Sequence, residues 1–238
     1  IKENQSVLIS IFINPTQFDN KTDLQHYPVK IDLDLRLIQE LGEKVLVYIP
    51  EVEDVYGNMV KSKSFDLAGL DQVMEGEKRS GHFQGVATVV AHFLKIFSPE
   101  NAYFGEKDFQ QLLIIKHVVR SLNLETKIIG CNIKRESDGL AMRSRNSLLP
   151  DNHRKLASKL FEALQFAKSN AKKIPYGTLK NMVISLFEKH NDLTLDYFQI
   201  ADPKKLKEIN LEETVDQGRG FIAAYLGKIR LIDNLDMS

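Results

Sequence analysis

Apolar positions along this chain fall into two patterns, short continuous runs and longer stretches with a helical period. Ser6–Ile13 is continuous and rich in β-branched residues, which predicts a central parallel strand covered on both faces. Ile31, Leu35, Ile38 and Leu41 then recur at helical spacing, with Gly42 placed to end the helix. Val45–Ile49 predicts a second strand, stopped at Pro50. The pattern is weak from Met59 to Leu67, and Gly76 to Gly85 reads as a Gly-rich loop. An apolar helix follows from Val86 to Phe97, halted by Pro99. Next come a short strand at Ala102–Phe104, a helix from about Phe109 to Leu122 and a strand near Lys127–Ile133. Strands alternating with helices imply right-handed βαβ crossovers and a parallel sheet.

After about Lys134 the character changes. Helices are predicted at Asp151–Ser169 and Tyr176–Lys189, followed by the strand-like stretches "LDYFQIAD", "GFIAAYL" and "IRLIDN". The last two flank Gly227-Lys228, a two-residue link with Gly first, as a type II′ hairpin requires. The expectation is an α/β chain whose parallel sheet is followed by a smaller α+β domain containing an antiparallel sheet. The opening "IKENQ" resembles the tail of a helix feeding a strand, so the sequence reads as beginning in mid-domain.

Composition narrows the function classes. Lys plus Arg and Asp plus Glu each number 32, giving zero formal net charge. That balance argues against bulk nucleic-acid binding, which relies on a basic surface to displace counterions. No apolar run approaches the ~18 residues that suggest a membrane span. The single cysteine, Cys131, cannot form an internal disulfide, which fits a reducing compartment. Its apolar-leaning surroundings predict a buried, inert thiol.

Four clusters carry candidate chemistry. "FINPTQF" ends the first strand, where open α/β sheets bind ligands. Asn14 and Gln17 place neutral amides there, suited to hydroxyl and carboxylate oxygens or an amine, and Pro15 fixes the turn. A strand-end Asn-Pro turn with solvated amides gives the same pattern. "GEKDFQQ" is a second strand-to-helix junction. Gly105 permits close backbone approach, Lys107 is a compact charge for phosphate, Asp108 suits ribose hydroxyls, and Gln111 lies one turn on. An N-capped surface helix is the alternative. "DGLAMRSRN" gathers Arg143, Ser144 and Arg145 in a Gly-containing turn, apt for a polyphosphate gaining charge as pyrophosphate leaves, or else simply a basic surface loop. "GEKRSGHFQGV" carries Lys78, Arg79 and His82 and reads as a lid with an anion-binding Arg; a lone His in such a place is more often structural.

Together "SIFINPTQF", "GHFQGVATVV", "YFGEKDFQQL", "DGLAMRSRN" and the terminal "RLIDN" resemble, in order and spacing, the signature segments of the pantothenate synthetase family. The resemblance covers nearly the whole chain. It implies a Rossmann-like domain over residues 1–133, a smaller domain over 134–238, and likeness to class I nucleotidyltransferases. It implies ATP-dependent joining of pantoate to β-alanine through pantoyl adenylate, with AMP and pyrophosphate released, by a magnesium-requiring cytoplasmic homodimer. Carried over by motif, Asn14, Gln17 and Gln111 resemble pantoate and β-alanine ligands. Gly105, Glu106, Lys107 and Asp108 resemble the ATP ribose and phosphate segment, and Lys134 the backbone offered to adenine. Met142, Arg143, Ser144 and Arg145 resemble the triphosphate loop, with Lys107, Ser144 and Arg145 in catalytic roles. Two departures stand out. Arg143 occupies the place of the first of two adjacent family serines, adding a cation and removing a hydroxyl. The family's N-terminal HxGH turn has no match, so the resemblance puts it, with the first sheet strand, upstream of Ile1. Competing readings are another adenylyl- or cytidylyltransferase of this fold, or a non-catalytic nucleotide-binding module.

Overall fold

The structure is a computed structural model and describes residues 1–19 and 21–238. The chain forms two compact units, one of Ile1–Glu100 with Ile114–Thr126, the other of Asn101–Leu113 with Lys127–Ser238.

In the first unit, β1 (Val7–Ser10) is followed by the short helix α1 (Lys21–Gln25), the amphipathic α2 (Ile31–Gln39) and β2 (Val45–Tyr48). β1 and β2 pair in parallel from Val7↔Val45 to Ser10↔Tyr48, the crossover that the alternating pattern predicts. β1 is shorter than the apolar run and is not covered on both faces. Leu8 and Leu46 are 39% and 59% exposed, and burial along β1 alternates with a period of two. A continuous apolar run does not itself say how many faces are covered. Beyond β2, Glu51 and Asp54 form a capping box that starts α3 (Val52–Tyr56).

The segment predicted as a Gly-rich loop is largely helical, with α4 at Met74–Lys78 and α5 at His82–Phe97. The physical reason is that two of its glycines serve packing rather than flexibility. A methyl group at Gly76 would collide with the Asp71 carbonyl, and one at Gly85 with the Thr16 carbonyl. α5 sets Phe93 and Phe97 edge-on against Tyr48 at ring separations of 5.7 and 5.0 Å.

The second unit begins with β3 (Asn101–Gly105), which pairs in parallel with β4 (Lys127–Cys131). Between them in sequence runs α6 (Phe109–Ser121), whose Leu112, Ile114, Ile115 and Val118 are buried. Cys131 is exposed, contrary to the expectation of a core thiol. It ends β4 opposite Gly105, which has no side chain to cover it.

The long helix predicted over 151–169 is interrupted at Ser158, giving α7 (Asp151–Ala157) and α8 (Lys159–Asn170). α9 (Tyr176–Phe187) follows, then β5 (Leu193–Ala201), β6 (Arg219–Leu226) and β7 (Ile229–Asp236), antiparallel in the order β5-β6-β7. Gly227 takes φ 56° in the two-residue turn between β6 and β7, where Leu226 pairs with Ile229. α8 and α9 cover this sheet with Leu160, Leu164, Leu179 and Val183 packed on Ile200, Ile222 and Leu231. The Tyr176 hydroxyl donates to Glu208 Oε1 at 2.6 Å and accepts from the Ile200 amide at 3.0 Å, so the buried phenol is fully partnered. Among the described residues no helix is long and apolar enough to cross a membrane.

Candidate active site

In the first unit the polar residues following β1 form a tight 3-10 turn, Pro15–Gln17, with Asn14 as its N-cap. Pro15 sits in the first turn, where a missing N–H leaves no bond unmade. Asn14 is only 2% exposed and its amide is oriented without ambiguity. Nδ2 donates to the Gly85 carbonyl at 3.0 Å, and Oδ1 accepts from the Thr16 amide at 3.4 Å. A carbonyl can only accept and an amide N–H can only donate, so the opposite orientation is excluded. The Tyr56 hydroxyl donates to Asn14 Oδ1 at 2.5 Å and lies 2.7 Å from Thr16 Oγ1. Burial raises the Tyr56 pKa, against the lowering effect of its bonds to Thr16 and Asn14, so the phenol is a donor at neutral pH.

The carbonyl oxygen of Gln17 is gripped from the C-cap of α4 and from the start of α5. His82 Nδ1 lies 2.7 Å from it and Arg79 Nη2 donates at 3.3 Å. Because that oxygen only accepts, His82 carries its proton on Nδ1, and Nε2 then accepts from Arg79 Nη1 at 3.1 Å. His82 is therefore a structural histidine, as its sequence context suggests, and Arg79 holds backbone as well as contributing positive charge.

The second unit contains the remaining predicted residues. β3 ends in Gly105, around whose α-carbon a side chain would meet nothing within 4 Å. Glu106–Asp108 form a 3-10 turn leading into α6. The Glu106 carboxylate is not turned outward: Arg219 holds it with Nη2 at 2.8 Å. Arg219 also stacks its guanidinium 4.0 Å from the centre of the Phe109 ring. Lys107 Nζ reaches Asp108 Oδ1 at 3.1 Å, and Asp108 is about half exposed. The carbonyls of Glu106 and Lys107 both accept from Asn234 Nδ2, at 2.9 and 2.8 Å. Gln111 is half-buried on the first turns of α6.

The segment from Lys134 to Asn146 is pinned from several sides. The Lys134 carbonyl accepts from the Met142 amide at 2.9 Å. Arg135 makes a two-pronged contact with Asp233, at 2.6 and 3.0 Å, and donates to the Gly139 carbonyl at 2.9 Å. Asp233 is buried, and that burial raises its pKa while Arg135 pulls it back. Arg154 pairs with both Glu136 and Asp138, and Asn146 donates to Glu136 Oε1 at 2.7 Å. Arg143 donates to the Arg230 carbonyl on β7 at 2.9 Å. Ser144 and Arg145 open a 3-10 turn, Ser144–Leu148, in which Arg143 is the N-cap. Ser144 is exposed and Arg145 half-buried.

Sequence reasoning does not single out Tyr56, Arg135, Arg219, Asp233 or Asn234. For the last two a signal exists: they end the signature segment RLIDN, and an adjacent Asp-Asn beside the apolar Leu231 and Ile232 demands partners once buried. Tyr56 ends a five-residue helix with nothing to mark it. Among the described residues no group of three or more His, Cys, Asp or Glu is arranged to hold a metal.

Parallel βα units with polar turns at the ends of β1 and β3, joined in sequence to an antiparallel sheet, define an α/β protein built to bind small ligands at strand ends. The profile of the Pantoate-beta-alanine ligase family matches residues 1–236, and the chain belongs to that family of ligases. It is 44% identical to the pantothenate synthetase of Christiangramia forsetii, spanning 100% of this chain and 84% of that one. It is 40% identical to the enzyme of Flavobacterium psychrophilum, again over 100% and 84%. A crystal structure of the Thermus thermophilus pantothenate synthetase superposes with a TM-score of 0.92 at 35% identity, covering 99% of this chain and 85% of its own. A Francisella tularensis pantoate-β-alanine ligase, solved with β,γ-ATP and β-alanine, gives a TM-score of 0.78 at 35% identity over 99% and 81%.

Proposed function

We propose that this chain condenses pantoate with β-alanine, using ATP, through a pantoyl adenylate. The observation that carries the reading is the placement of the family's two polar segments. The amide turn closes β1 and the Lys107 turn closes β3, both at carboxyl ends of parallel strands. The Francisella relative, solved with β,γ-ATP and β-alanine, supports the assignment of ligands.

In this reading a pantoate carboxylate oxygen attacks the α-phosphorus of ATP, forming the acyl–phosphate bond as the bond to pyrophosphate breaks. Gln17 and Gln111 hold pantoate, and β-alanine enters beside Asn14 and Gln17. Gly105, Glu106, Lys107 and Asp108 bind ribose and phosphates, the last through hydroxyl-accepting oxygens. Lys134 offers backbone to adenine, and Met142, Arg143, Ser144 and Arg145 surround the triphosphate. Lys107, Ser144 and Arg145 stabilise charge on departing pyrophosphate, since positioning and electrostatics dominate such transfers. The neutral β-alanine amine then attacks the acyl carbon, AMP leaves with the bonding pair, and the amine proton passes to solvent or phosphate. Magnesium fits as an ion carried mainly by phosphate oxygens, which is how it commonly binds; it would offset phosphate charge. Residues 1–133 as the nucleotide and pantoate domain, 134–238 as the smaller domain, a cytoplasmic site of action and a homodimer belong to the same proposal.

The test is pantoate-dependent exchange of labelled pyrophosphate into ATP, followed by pantothenate formation on adding β-alanine. Exchange that does not depend on pantoate would overturn the reading.

A further inference from the structure

We infer that Tyr56 is a positioning residue which, acting through Asn14, fixes the amide of Gln17 with its nitrogen end toward the ligand. The inference rests on Gln17 being a ligand of pantoate or β-alanine, as proposed above.

Three oxygens form a triangle: Tyr56 Oη to Asn14 Oδ1 at 2.5 Å, Tyr56 Oη to Thr16 Oγ1 at 2.7 Å, and Thr16 Oγ1 to Asn14 Oδ1 at 3.1 Å. Only two hydroxyl protons serve those three contacts. The shortest pair of contacts is satisfied when Thr16 donates to Tyr56 and Tyr56 donates to Asn14. Asn14 is then held by its oxygen from α3 and by its nitrogen from the Gly85 carbonyl on α5. Its second Nδ2 hydrogen points to Gln17 Oε1 at 3.5 Å. That contact is long, yet it sets a preference, because the flipped Gln17 would bring two amide nitrogens face to face. Gln17 therefore turns its oxygen inward and offers Nε2, a donor, outward. A donor suits the carboxylate and hydroxyl oxygens of a polyol acid and disfavours a protonated amine.

The phenol is the element that makes the turn selective. A Phe at position 56 preserves ring packing and removes one proton. Thr16 then satisfies Asn14 at the longer distance, which predicts a partial loss. Removing both hydroxyls leaves Asn14 Oδ1, among the described residues, with the Thr16 amide at 3.4 Å.

The experiment compares wild type, Tyr56→Phe and Tyr56→Phe with Thr16→Val, using steady-state kinetics and side-chain amide NMR on nitrogen-labelled protein. In Tyr56→Phe the KM for pantoate should rise several-fold, and in the double variant by about tenfold or more, the scale of a lost hydrogen bond. The KM for ATP should stay within twofold in both, which a general loss of folding would not produce. The Asn14 amide signals should shift and those of Gln17 should broaden toward two orientations. Unchanged Gln17 signals in the double variant, or parallel increases in the KM values for ATP and pantoate, would overturn the inference. The NMR arm reads the relay whether or not the protein makes pantothenate, so failure of the functional reading is seen separately, in the wild-type assay.

Discussion

The turn after β1 and the segments around Lys107 and Arg145 have different kinds of anchorage, although each is proposed to hold substrate. The first is fixed mainly by neutral groups, namely one buried amide, two hydroxyls, two backbone carbonyls and a histidine that keeps its proton on Nδ1, with Arg79 adding a cation behind the Gln17 carbonyl. The second is fixed by ions. Arg219 holds Glu106, Arg135 holds Asp233, and Arg154 holds Glu136 and Asp138. Asn234 joins these by donating to two successive carbonyls of the Lys107 turn. In the first, neutral dipoles set the direction of the side-chain amides, and the Arg79 charge falls on backbone rather than on those amides. Paired ions freeze a backbone while cancelling locally, so they add little net charge beside the phosphate role proposed for Lys107 and Arg145. For a buried pair such as Arg135–Asp233 the cost of desolvation offsets much of the attraction, so the pair is weak evidence of added stability.

The contrast is broken most severely at Asp233. Asp233→Ala leaves Arg135 with its main partner gone in a largely buried position, a change that typically costs ~3–5 kcal/mol. Urea unfolding should show that loss, while Asn14→Ala should cost only ~1–3 kcal/mol as a lost buried hydrogen bond. Equal losses would mean that the two anchorages do not differ in kind.

Next in size is Lys107→Ala, which removes a cation that pairs with Asp108 and also helps to lower the pKa of Asp233. Pyrophosphate exchange should fall by ~10²-fold, as for the loss of one transition-state donor. Stability should fall by only ~1 kcal/mol, the centre of the range for point substitutions and less than for Asp233→Ala. A variant with near-normal exchange would remove Lys107 from the proposed chemistry.

Gly85→Ala tests the neutral anchorage directly. The added methyl group meets the Thr16 carbonyl, so α5 or the turn must move, at a cost of ~1–3 kcal/mol. Pantoate affinity should suffer more than ATP affinity, read by calorimetric titration with each. If both weaken alike, the collision is absorbed by the whole fold rather than by the turn.

How far this division can be read in the sequence follows from its physics. Parallel pairing, the C-terminal hairpin at Gly227-Lys228 and the helix ending near Gly42 are legible because each has a local signal, apolar period or turn chemistry. The Asn14–Gln17 turn and the Lys107 turn are legible as polar breaks at strand ends. The helical segment at 76–85 is not, because a glycine placed for close approach looks the same, in sequence, as one placed for flexibility. The exposure of Cys131 is hidden too, because exposure at a strand end depends on the residue across the ladder. Tyr56, Arg135 and Arg219 are illegible, since each acts on a partner distant in sequence: Tyr56 on Asn14 is separated by 42 positions, Arg135 on Asp233 by 98, and Arg219 on Glu106 by 113.

The smallest effect lies at the edge of the ionic anchorage, where Arg154 meets Asp138. The Arg154 hydrogen bond holds the Asp138 carboxyl below its ordinary value of 3.8, against the opposing effect of burial, and the Leu140 amide adds a second bond. A carboxyl whose pKa is depressed on folding contributes stability that is fully present above its unfolded value. The contribution is lost as pH falls through the folded value, when the native state must take up the proton. Asp138 is 38% exposed and Arg154 27%, so solvent screens the pair and its worth is at most ~1 kcal/mol. Asp138→Asn keeps the acceptor for Leu140 and removes the charge. At neutral pH the variant should be less stable by a few tenths of a kcal/mol, the range of exposed pairs. As pH falls below 3.8 and through the folded value, that difference should close, because wild-type Asp138 is then losing its charge as well. Urea midpoints measured from neutral pH to about pH 2 decide the matter. A gap that stays constant to the acid end would show that the Asp138 charge plays no part in holding the Arg145 segment.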